Sequence, residues 1–181
     1  RGTAATFQHG LPYLARYPSR KTPGVNQRAP APSTLTPAIK PAGATNAAAG
    51  LELAKGQASG RSDAKKVVIF FTDGEPNHGS GFDPTVAATA VNKAKSLKDA
   101  GTTIYSIGVV SGANPGDTSS NLNKYMHGIS SNYPDATATS SEHLWGKSWN
   151  ANLGDRAETR SYYKAATDAG QLNNIFESIY Q

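Results

Sequence analysis

The 181-residue sequence has no cysteine, which removes disulfides, thiolate metal sites and a cysteine nucleophile from consideration. Acidic residues are missing from the whole leading segment: the first is Glu52, and Arg1, Arg16, Arg20, Lys21, Arg28 and Lys40 all precede it. The net charge of +5 therefore belongs to that segment, and the remainder of the chain is close to neutral. No interleaving of aromatic and basic side chains accompanies the charge, so a solvated connector is expected there and a nucleic-acid platform is not. The sequence shows no apolar run of membrane-spanning length and no signal peptide. It also lacks a Gly-x-Ser-x-Gly elbow and a Walker-type glycine loop, and its histidines, His9, His78, His127 and His143, are scattered without ligand spacing. Nucleophilic catalysis, phosphate cradling and a zinc site all lose their usual signatures.

Hydrophobic content of 37% with 18 glycines and 11 prolines is low for a wholly compact α/β domain. Pro12, Pro18, Pro23, Pro30, Pro32, Pro37 and Pro41 place the extended part near the amino end. Residues 1–36 read as a Pro-rich basic connector or loop, with at most a short strand or turn of helix around Thr6 to Tyr17. The chain starts at Arg1, not Met, and is expected to be a piece of a longer product.

What the sequence does contain is organised around Val67-Val68-Ile69-Phe70-Phe71-Thr72-Asp73-Gly74-Glu75-Pro76-Asn77. Five consecutive β-branched or aromatic residues suit a strand buried on both faces, as in a parallel sheet. Asp73 would then stand at the carboxyl end of that strand, where open α/β sheets bind their ligands. Asp83-Pro84 predicts a helix start, and Val86, Ala90, Val91, Ala94 and Leu97 recur at helical spacing until Gly101. Thr103 to Val110 reads as a second strand, which makes a parallel strand, helix, strand crossover.

Upstream, Ala47 to Lys55 reads as a small-residue helix opened by the hydroxyl of Thr45, with Ala47, Leu51 and Ala54 on one face. Downstream, Leu122, Tyr125, Met126 and Ile129 mark a short helix, and Asp168 caps a last one with the stripe Leu172, Ile175, Phe176 and Ile179. Residues 130–166 show little periodicity and read as a long functional loop or mobile insertion. Trp145 and Trp149 within it could offer an aromatic platform to a sugar, with pinning of the loop onto the sheet the favoured role.

Thr45 and Asp73 could converge on one sheet edge as hydroxyl and carboxylate ligands for a hard cation, although locally a helix cap explains Thr45 equally and a simple turn explains Asp73-Gly74 better. Glu75, Asn77 and His78 follow the strand and are candidates for a ligand rim.

The stretches Gly43-Ala44-Thr45-Asn46, Val67 to Pro76 and Gly101 to Val109 together resemble the later two thirds of a von Willebrand factor type A domain. The tail from Tyr162 to Ile179 is similar to the end of that domain in Gram-positive surface adhesins and pilus proteins. The resemblance implies an α/β, doubly wound, Rossmann-like and mostly parallel sheet with flanking helices, covering residues 37–181 as a partial domain with a long loop at about 130–166. It also implies a metal-ion-dependent adhesion site for Mg²⁺, Mn²⁺ or Ca²⁺, with Thr45 and Asp73 at the family's threonine and aspartate positions. The family's first strand carries Asp-x-Ser-x-Ser, which these 181 residues do not contain. The site is then completed by an upstream segment or another chain, or it is not functional.

On this resemblance the expected function is a non-enzymatic, secreted adhesion module at a bacterial surface, cell wall or pilus, binding a protein ligand or host surface component. The alternative is a scaffold subunit of an intracellular, chelatase-like assembly complex; a hydrolase using Asp73 and a metal is a third. With the first strand missing, the edge beside Val67 to Thr72 is expected to lie open and the chain to need a complementary segment for stability. The stretch from Asn132 to Ala166 is expected to carry ligand specificity.

Overall fold

A computed structural model of the chain describes residues 46–58, 64–79, 81–144, 146–157 and 161–180, and the backbone of residues 12–16. In chain order the elements are β1 (Pro12–Arg16), α1 (Ala47–Ala58), β2 (Lys66–Thr72), α2 (Pro84–Asp99), β3 (Thr102–Gly108), α3 (Asn121–Ile129), β4 (Thr137–His143), β5 (Gly146–Asn152), β6 (Tyr163–Ala165) and α4 (Ala169–Tyr180).

The expected parallel unit is present. Strands β2 and β3 pair from Lys66 with Thr102 to Thr72 with Gly108, and β6 adds a third parallel strand at Ser106 to Gly108. Helix α2 starts where the sequence signals it: Asp83 Oδ1 accepts from the Thr85 N–H at 2.8 Å and the Val86 N–H at 3.1 Å, with Pro84 in the first turn. It stops at Gly101, whose φ of +77° a side-chain-bearing residue would adopt only with strain.

One core forms between the sheet and the layer of α1, α2 and α3. Val68, Phe70 and Ile104 from the sheet meet Leu51, Val91, Leu97, Leu122, Tyr125 and Met126 from the helices. Because side chains alternate along a strand, Ile69, Tyr105 and Ile107 occupy the opposite face, and they too are buried. Helices α2 and α3 approach closely at Gly128, where an added Cβ would lie 3.0 Å from a Val91 methyl. At the end of α2 the Lys98 ammonium donates to the carbonyls of Gly128 at 2.8 Å, Tyr133 at 2.7 Å and Ser130 at 3.3 Å. Burial pushes that ammonium down to about 7, while the carbonyls around it favour the charged form.

Two expectations are corrected. The edge of β2 is not open: β1 pairs along it antiparallel, from Pro12 opposite Phe70 to Arg16 opposite Lys66. The segment read as a connector thus contributes a strand, within the Thr6 to Tyr17 stretch where a short one was allowed. Being antiparallel, β1 starts with Pro12 opposite Phe70, toward the Asp73 edge, and ends with Arg16 opposite Lys66 at the other edge of the sheet.

The stretch at 130–166 is also not a structureless loop. It holds the antiparallel hairpin β4–β5, paired from Thr137 with Asn152 to His143 with Gly146, and then β6. The hairpin rests on α2, where the Asn92 amide donates to the Ala138 carbonyl at 2.7 Å and accepts from the Ala138 N–H at 3.0 Å. Asp168 caps α4 as expected, accepting from the Gln171 N–H at 2.9 Å.

Candidate functional site

The parallel strands β2, β3 and β6 all leave the sheet at one edge, and the side chains singled out from the sequence that can be placed gather on the loop leaving β2. Thr72 is buried at the end of β2, and its hydroxyl donates to the Gly74 carbonyl at 2.8 Å while accepting from the Gly74 N–H at 3.3 Å. That local hydroxyl turn holds Asp73 outward, exposed to solvent. Glu75 and Asn77 follow half-buried and His78 exposed. The loop closes where the Asp83 N–H donates to the Pro76 carbonyl at 2.7 Å, and the Val109 N–H ties the exit of β3 to the Thr72 carbonyl at 2.8 Å.

Thr45 lies outside the described residues, so its place relative to Asp73 is not part of the geometry. Its expected role as the opening hydroxyl of α1 is corrected: the cap is Asn46, whose Oδ1 accepts from the Ala49 N–H at 3.0 Å. An amide at that position does the capping that a threonine hydroxyl could have done one residue earlier.

The described residues alone do not fit a divalent cation. Among them no three His, Asp or Glu side chains come together, and Asp73 brings one carboxylate where hard cations take several oxygen ligands.

Sequence reasoning missed a polar hub on the loop leaving β3. Asn123, 2% exposed, accepts at Oδ1 from the Asn114 N–H at 2.8 Å and from the Tyr163 hydroxyl at 2.6 Å. Its Nδ2 lies 2.9 Å from Asp117 Oδ2 and 3.0 Å from the Gly112 carbonyl. Asp117 in turn accepts from the hydroxyl and N–H of Ser119, and these bonds, with that from Asn123, hold its carboxyl far below the usual carboxylate range. Burial pushes the Tyr163 hydroxyl up to about 12. The available signal was Asp117-x-Ser119-Ser120 before an apolar helix, with Ser120 as its cap.

A cleft of about 490 Å³ opens where these loops end. Phe82, Asp83 and Pro84 come from the end of the β2 loop, Asn121 from the start of α3, and Lys147, Ser148 and Trp149 from β5. Trp149 pins the hairpin, but to the loop before α2 and the start of α3 and not to the sheet: its ring lies 5.0 Å from that of Phe82, and its indole N–H donates to Asn121 Oδ1 at 3.0 Å. Trp145 lies outside the described residues. Lys147 bridges Asp83 Oδ2 at 3.1 Å and Glu142 Oε1 at 3.3 Å, and these partners hold its ammonium above its ordinary range.

A family model for the von Willebrand factor type A domain matches residues 34–144, from ahead of α1 to just past β4. Comparison with curated proteins and with solved structures finds no match.

Proposed function

The chain belongs to the von Willebrand factor type A domain family, a family of protein-interaction modules, and from that premise we propose that it acts by binding, without turnover, as an adhesion module of a bacterial surface or pilus protein. Its partner would be a protein or host surface component met outside the cell or at the cell wall, at the edge of the sheet where β2 and β3 end. The observation that carries this is the exposed Asp73 at the carboxyl end of β2, held outward by the Thr72 turn. A carboxylate so placed can share a cation with a partner once further ligands join it. In this proposal Asp73 and Thr45 contribute to a Mg²⁺, Mn²⁺ or Ca²⁺ site completed by an Asp-x-Ser-x-Ser segment that these 181 residues do not contain.

The test is calorimetric titration of Mg²⁺ and Mn²⁺ into this chain, into this chain joined to a segment carrying Asp-x-Ser-x-Ser, and into that joined form with Asp73→Ala. Negligible binding by this chain, with binding by the joined form that is lost in the variant, is the expected pattern. Tight binding by the 181-residue chain would mean that the ligands are other residues, and unchanged binding in the variant would remove Asp73 from the site.

A further inference from the structure

The cleft between the β2 loop, the start of α3 and the hairpin has its own chemistry, separate from Asp73. Its volume of about 490 Å³ falls within the range of roughly 300–1,000 Å³ that small-molecule sites occupy. Phe82 and Trp149 give it an apolar wall, and both remain partly exposed along it. The Phe82 ring is backed by Tyr125 at 6.5 Å, edge to face, and the indole is held by Asn121, so the wall is fixed in place before any ligand arrives.

The polar groups decide what that wall can take. Lys147 and Asp83 already neutralise each other at 3.1 Å, and Glu142 takes a second bond from the same ammonium. An anionic ligand on the last N–H of Lys147 would sit beside the Asp83 and Glu142 carboxylates, and a cationic ligand on Asp83 would sit beside the Lys147 ammonium, so each meets a like charge. A neutral ligand that carries both donors and acceptors meets neither obstacle. It can use the remaining N–H of Lys147, the spare lone pairs of Asp83 Oδ2, and the Asn121 amide nitrogen, whose oxygen is occupied by the indole. A pyranose has this character, with hydroxyls around its rim and a face of C–H groups that packs on an aromatic ring.

We propose that this cleft binds a neutral saccharide, with the C–H face of one ring on Trp149 and Phe82 and its hydroxyls on Asn121, Asp83 and Lys147. The site needs no metal, so it stands independently of the role given to Asp73.

The test is saturation-transfer NMR on the 181-residue chain in EDTA, titrated with neutral oligosaccharides of glucose, galactose, mannose and N-acetylglucosamine, with sialyllactose and a tryptophan-containing peptide as comparators. Saturable binding of a neutral oligosaccharide is expected, with transfer strongest to its ring C–H protons. Asn121→Ala should weaken it about ten-fold, equivalent to roughly 1.4 kcal/mol. Asn121 is exposed, so that change leaves the core intact. Trp149→Phe, which keeps an aromatic ring beside Phe82, should also weaken binding, with folding of both variants checked by thermal melt. Asp73→Ala should bind saccharide as the parent does, which separates failure of this proposal from failure of the metal-dependent one. Absence of saturable binding to every neutral oligosaccharide would overturn it. So would a preference for sialyllactose or for the peptide, or parent-like binding by both folded cleft variants.

Discussion

The β2–α2–β3 unit and the β4–β5 hairpin lie against each other yet are stabilised in different ways. In the first, Val68, Phe70 and Ile104 are fully buried, and the sheet is held by its own apolar faces. In the second, β4 is exposed from Thr139 to His143, and Ala138 is the buried residue of that strand. The hairpin keeps its place through a few specific anchors: Asn92 on Ala138, Trp149 on Phe82 and Asn121, and Lys98 on the turn that precedes it. Burial is distributed and tolerant of small changes, whereas an anchor is local and fails singly. The hairpin can therefore loosen while the sheet stays folded, a division suited to a rigid platform that carries an adaptable rim.

The largest effect expected is on the platform. Phe70→Ala empties a fully buried site that packs edge-on against Tyr125 at 6.1 Å and should cost about 3–5 kcal/mol, lowering the urea midpoint for sheet and hairpin signals together. If hairpin signals alone responded, the two regions would have been assigned the wrong way round.

A smaller and local effect is expected from Asn92→Ala. The variant leaves the Ala138 N–H and C=O without their side-chain partner, a loss of about 1–3 kcal/mol by analogy with other unpaired groups, reduced where water can reach the strand. Hydrogen exchange should speed up at Ala138 and along β4 while β2 and β3 keep their protection. Uniform acceleration through β2 would show that hairpin and sheet unfold as one unit.

The same contrast explains what could be read from the sequence. The run from Val67 to Phe71, the Asp83-Pro84 cap and the Leu122, Tyr125, Met126, Ile129 spacing carry their structure in hydrophobic period and local capping, and each element formed as read. Thr137 to Asn152 carries no such period, because most of its side chains face solvent and its register depends on Asn92, a residue 46 positions away from Ala138. The edge strand β1 was hidden for a related reason: a five-residue strand in a Pro-rich basic segment is decided by the open edge it meets. At the site, Asp73 and its rim were legible as the end of a strand. The cleft was not, because Phe82, Asn121 and Trp149 come together only through the fold.

The subtlest prediction lies at the seam between the two regions and is a matter of pH. His127 is 1% exposed on α3, with the rings of Tyr133 and Tyr163 edge-on at 5.2 and 5.0 Å. Asn132 spends its Oδ1 on the Tyr162 N–H at 2.6 Å, so its Nδ2 faces His127 Nδ1 at 3.2 Å, and that ring nitrogen must be the unprotonated one. A second proton would set donor against donor, and the amide cannot turn without abandoning Tyr162. Burial, with a smaller contribution from the Arg156 charge, accordingly holds the imidazole below its ordinary range. Below about pH 6.5 the unfolded chain takes up a proton that the folded chain still refuses, so this contribution to stability is complete above that pH and declines as pH falls toward the lower folded value. Urea midpoints across that window should fall more steeply for the parent chain than for His127→Gln, which does not titrate. Parallel curves would mean that the seam accommodates the imidazolium, and that acid does not act at the junction between platform and rim.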